Sequence, residues 1–70
     1  MTTKNVQILR IFSVTKRLDV GKSTIYDWMN EKSPRFDPTF PRPVHLGKSA
    51  VGWLESELDE WLLKKANARD

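Results

Sequence analysis

Seventy residues with no cysteine and one histidine, His45, leave room for a single small domain. They exclude disulfides and the usual zinc clusters from within this chain. No apolar run approaches the ~20 residues of a membrane span and no signal-peptide pattern opens the chain, so a cytoplasmic setting is expected. The net charge of +3 is spread unevenly. Residues 1–48 carry nine Lys/Arg against four Asp/Glu, and residues 49–70 carry three against five. An anionic partner is therefore expected to meet the first two-thirds of the molecule.

In chain order, Val6–Phe12 (V-Q-I-L-R-I-F) is apolar and β-branched, and reads as a short strand or the lead-in to a helix. Val14 and Leu18 at i and i+4 predict a short helix, with Lys16 and Arg17 turned outward as cations that add to counterion release. Asp19 suits the following turn because Asp tolerates the left-handed region, and Gly21 is an acceptable N-cap. A second helix is predicted from Lys22 to Glu31. Ile25, Trp28 and Met29 form its apolar stripe, Ser23, Asp27 and Asn30 lie opposite, and Thr24 and Tyr26 flank it. Residues 33–43 hold all four prolines and cannot be helical. Val44–Leu46 and Ala50–Trp53 predict a β-hairpin turning near Gly47–Lys48. Leu54, Leu58, Trp61 and Leu62 then mark a last helix from about Glu55 to Ala68, acidic in its first turn and basic in its last.

The tetrapeptide Gly21-Lys22-Ser23-Thr24 also ends a nucleotide-binding P-loop. That motif needs a glycine five residues before Gly21, where this chain has Lys16, and a buried strand feeding the loop. Neither is present, and 70 residues cannot supply the several βα units of such a fold.

Two short helices joined by a tight turn and followed by a hairpin predict a mainly α fold with a small β-hairpin wing: a winged helix-turn-helix of about residues 8–66 within a 1–70 domain. In that arrangement the second helix enters the major groove of double-stranded DNA. Lys22 and Thr24 are then expected at a phosphate, where free helix N–H groups favour anions. Ser23, Asp27 and Asn30 are expected to face the groove, since Asn pairs with adenine and a carboxylate accepts from cytosine. Asp27 is repelled by phosphates, so orienting a neighbouring Lys or Arg is its alternative task. Tyr26 is expected to donate its hydroxyl to a phosphate while its ring packs on the core edge. Arg42, His45 and Lys48 are the expected wing contacts, and Arg35 is, like Lys16 and Arg17, a peripheral cation that adds to counterion release. Trp28, Phe40, Trp53, Leu58 and Trp61 are expected in the core.

The segments S-T-I-Y-D-W (23–28), F-P-R-P-V-H-L-G-K-S-A-V-G-W (40–53) and L-E-S-E-L-D-E-W-L (54–62) resemble the AlpA-like family of prophage regulators. That family is related to the phage excisionases and to MerR-type winged helices. The resemblance covers roughly residues 8–66. It implies a regulator of a prophage or integrative element that controls integrase expression or acts as an excisionase, with integrase or neighbouring copies on DNA as further partners. The chain departs from the pattern at Asp19, where Gly is common, and at Gly21, where Ser or a similar cap is common. Many relatives carry an arginine where this chain has Gly52, so no wing contact transfers to that position.

No nucleophile–base set accompanies the lone His45, and Glu55, Glu57, Asp59 and Glu60 read as a helix N-terminal turn, so no enzyme activity, cofactor, metal or small-molecule ligand is expected. Two rival readings exist. The acidic face of the last helix (Glu57, Asp59, Glu60) could dock on another regulator. An RNA binder would need exposed aromatics for base stacking, whereas most aromatics here fall at core spacing.

Overall fold

The computed structural model describes residues 6–69; Lys4 and Asp70, counted above in the charge balance, lie outside them. The element order is β1 (Ile8–Leu9), α1 (Ile11–Leu18), α2 (Lys22–Met29), β2 (Val44–His45), β3 (Val51–Leu54) and α3 (Glu55–Ala68). Three helices and a small antiparallel sheet make a mainly α, winged helix-turn-helix fold.

The segment Val6–Phe12, read as strand or helix lead-in, is both. Ile8 and Leu9 pair with Leu54 and Trp53 of β3, and Arg10, in extended conformation, then starts α1. Phe12 thereby falls on the outside of α1, 68% exposed, with the Lys16 ammonium 4.9 Å from its ring centroid. The turn after α1 follows the expected chemistry. Asp19 sits at φ 57°, ψ 45°, and the N–H groups of Asp19 and Val20 both donate to the Thr15 carbonyl. This left-handed cap satisfies the carbonyl end of α1 and redirects the chain into α2.

The wing is a three-stranded sheet in the order β1-β3-β2. Val44 pairs with Gly52 and His45 with Val51, and the Leu46 N–H closes the loop on the Ala50 carbonyl at 2.7 Å. Gly47 has no positive φ, so the turn does not depend on glycine. Gly52 does matter. A Cβ there would overlap Ile8 Cγ2 and stand 3.2 Å from the Leu9 carbonyl oxygen. The β1 strand occupies the space a side chain at 52 would need.

The core comprises Val14, Ile25, Phe40, Trp53, Leu58 and Trp61. Trp28 is half-buried and completes an aromatic triad with Phe40 and Trp61, the ring centroids standing 5.1–5.4 Å apart. Tilted and edge-on pairs of this kind add attraction beyond their buried area. The triad joins α2, the proline-rich segment and α3. Leu62, expected in the apolar stripe of α3, is instead 38% exposed, and Leu54 ends β3 as the N-cap of α3. α3 packs on β3, the central strand, and buries Leu58 and Trp61 while leaving Leu62 at the rim.

Arg17 is not the free cation the sequence suggested. Its guanidinium lies 3.0 Å from Glu55 and 2.8 Å from Asp59, clamping α1 onto α3. The hydrogen bond to Asp59, opposed by partial desolvation and reinforced by the charges of Asp59 and Glu55, raises its pKa above the ordinary arginine value.

Candidate nucleic-acid interface

Helix α2 is short because its ends are set by local chemistry. Gly21 starts it in extended conformation and offers no side-chain cap, so the first N–H groups have no side-chain acceptor. At the other end the helix expected to reach Glu31 stops at Met29. Asn30 is extended (φ −94°, ψ 111°), and its side-chain carbonyl accepts the Lys32 N–H at 3.0 Å. An Asn side chain that bonds the backbone two residues on competes with helix continuation, and here it wins. Asn30 therefore stands just beyond the helix and not on its face, with its oxygen committed to the turn.

Lys22 and Ser23 are exposed at the start of α2, and Thr24 is half-buried beside them. Tyr26 is 51% exposed. Asp27 is held by Arg35, whose guanidinium lies 3.5 Å from its carboxylate. Asp27 therefore has a cation, Arg35, beside it. Lys22, Ser23, Tyr26 and Asp27 thus share one polar surface of α2, and Arg35 borders it. Sequence spacing could not reveal Arg35, because it lies in a proline-interrupted turn where no period relates it to Asp27.

The orientation of this helix comes from its buried side. Ile25 is fully buried, α2 packs on α1, and Trp28 rests on Phe40 and Trp61. A polar network backs the triad. The Trp61 indole N–H donates to Thr39 Oγ1 at 3.1 Å, the Thr39 hydroxyl donates to Asp37 at 2.5 Å, and Lys65 lies 2.8 Å from Asp37. Partial burial pushes the Asp37 carboxyl upward, but hydrogen bonds from Lys65 and Thr39 outweigh it and lower its pKa to about 2.

The expected wing contacts lie on and before the hairpin. His45 is exposed on β2, the edge strand, and Lys48 is exposed in the hairpin loop. Arg42 is exposed before β2 and lines a groove of about 690 Å³ between residues 39–44 and α3, opposite Glu57 and Glu60. On α3, Asp59 is paired with Arg17, while Glu57 and Glu60 stay exposed. Among the described residues no three His, Asp or Glu side chains gather at metal-binding distance. No described helix is long and apolar enough to cross a membrane.

Comparison with known proteins agrees with the resemblance carried by residues 23–28 and 40–62. The chain is 50% identical over 60 residues to the DNA-binding transcriptional activator AlpA of Escherichia coli, covering 86% of each chain. No solved structure matches. The family model of Prophage CP4-57 regulatory protein (AlpA) matches residues 7–66, nearly the whole described chain, and the protein belongs to that family.

Proposed function

We propose that this protein is a sequence-specific regulator that binds double-stranded DNA of a prophage or integrative element and controls integrase expression or excision. The observation that carries the reading is α2 itself. It is a short helix in a helix-turn-helix, anchored by Ile25 and Trp28 and presenting Lys22, Ser23 and Tyr26 outward. Such a helix reads base edges in the major groove, and exposed cations supply the salt-dependent share of the affinity. The activator name of the 50%-identical relative supports the DNA-binding part of this reading. Lys22 and Thr24 take a phosphate at the helix start, Ser23 faces bases, Asn30 offers only its amide N–H groups from just beyond the helix end, and Arg42, His45 and Lys48 contact backbone or minor groove from the wing side. Neighbouring copies on DNA and the element's integrase are the proposed protein partners, in the cytoplasm.

The test is selection of genomic fragments by the purified protein, followed by footprinting and circular-permutation bending. Tandem protected sites beside an attachment core with a clear bend identify an excisionase. One compact unbent site at a promoter identifies a transcriptional regulator. No enrichment at low salt rejects both, and the exposed Glu57–Glu60 face of α3 becomes the place to seek a protein partner.

A further inference from the structure

The segment from Asn30 to Asp37 contains a proline yet is folded firmly back on α2. Lys32 N–H donates to Asn30 Oδ1, Arg35 N–H to Ser33 Oγ at 3.1 Å, Phe36 N–H to the Ser33 carbonyl, and Asp37 N–H to the Trp28 carbonyl at 2.9 Å. This turn carries Arg35 to the flank of α2, where its guanidinium meets Asp27 with 72% of the side chain still exposed. An ion pair this exposed contributes little to folding. Its electrostatic effect on the surface is larger. Asp27 alone would repel a phosphate backbone. Paired, its charge is offset, and the planar fork of Arg35, the side chain best shaped to grip phosphate oxygens, is drawn to the flank of α2.

We propose that Arg35 contacts a DNA backbone phosphate beside α2, with Asp27 as the residue that positions it. The proposal rests on the DNA-binding reading above and adds a contact that the motif-bearing segments do not contain.

The test is a salt titration of affinity for a fluorescein-labelled, mixed-sequence duplex, using the unsubstituted protein, Arg35→Ala, Arg35→Lys, Asp27→Asn and the Asp27→Asn/Arg35→Ala pair. Arg35→Ala is expected to weaken binding about tenfold and to reduce the slope of log K against log salt by about 1, leaving the thermal melt unchanged. Arg35→Lys restores the slope. Asp27→Asn strengthens binding in the Arg35→Ala background, where only repulsion is removed, and gains less or loses when Arg35 is present. Wild-type affinity and slope in Arg35→Ala overturn the contact. Equal effects of Asp27→Asn in both backgrounds overturn the positioning role. If the unsubstituted protein shows no salt-dependent affinity for the duplex, the DNA-binding reading itself fails.

Discussion

The Asp37 carboxylate lies 2.8 Å from the Lys65 ammonium, so a residue of the proline-rich segment is tied to the last turns of α3. The same carboxylate accepts from the Thr39 hydroxyl and backbone N–H, and Thr39 in turn accepts from Trp61. Asp37 thus stands between the solvent-facing Lys65 and the aromatic triad that seats α2.

A pH dependence follows. Asp37 has a folded pKa of about 2 against an ordinary 3.8. A depressed acid stabilises the fold at pH above the ordinary carboxylate range, and that contribution is lost as pH falls from about 4 to about 2. With Lys65 half-exposed, screening limits it to on the order of 1–2 kcal/mol. Melting temperatures of wild type and Asp37→Asn should differ at pH 7 and converge toward pH 2. A gap that persists undiminished at pH 2 would show that the carboxylate charge is not its source.

Gly52 and Ile8 form a coupled pair. Gly52→Ala drives a methyl into Ile8 Cγ2 and should cost about 1–3 kcal/mol. Trimming the obstacle with Ile8→Ala should return part of that loss, giving a coupling energy above about 0.5 kcal/mol in a denaturation double-mutant cycle. Additive losses would mean that β1 yields to the new methyl without strain.

Asp19 offers a backbone test. At φ 57° a β-branched side chain is strained, so Asp19→Val should destabilise by about 1–2 kcal/mol. Asp19→Gly should stay within about 0.5 kcal/mol of wild type, because relief of strain is offset by a more flexible unfolded chain. Equal stability of the Val and Gly variants in urea would contradict a left-handed cap at this turn.

Lys22→Ala should weaken DNA binding by about 1–3 kcal/mol with the thermal melt nearly unchanged, since the side chain is exposed. Asn30 behaves differently, because its oxygen holds the turn. Asn30→Ala should lose both affinity and about 0.5–1.5 kcal/mol of stability. Asn30→Asp keeps the acceptor for Lys32 N–H and should lose affinity alone. Paired melts and anisotropy titrations separate the two effects. Wild-type affinity in both Lys22→Ala and Asn30→Asp would remove these residues from the interface.

Local features were legible in the sequence because each is written within one or two turns of chain. The period of Ile25, Trp28 and Met29 predicted α2, the left-handed tolerance of Asp19 predicted its turn, and Val44–Trp53 around Gly47–Lys48 predicted the wing. The end of α2 was misread by two residues because helical period continues through Asn30, while the hydrogen bond that stops the helix depends on a side-chain rotamer. That Arg35 borders the α2 surface was not readable either, since Asp27 and Arg35 meet only through a folded turn.

By itself, then, the sequence determined the two helices of the motif, the turn between them, the hairpin and α3, all from patterns of near neighbours. Tertiary structure alone decided that a two-residue β1 completes the sheet and fills the space a side chain at Gly52 would need, and that Arg17 clamps α1 onto α3. It also decided that Trp28, Phe40 and Trp61 converge to seat α2. Arg17 and Asp59 are 42 residues apart, and Thr39 and Trp61 are 22. Partners at such separations are chosen by how the elements pack, and no local period or propensity records that choice.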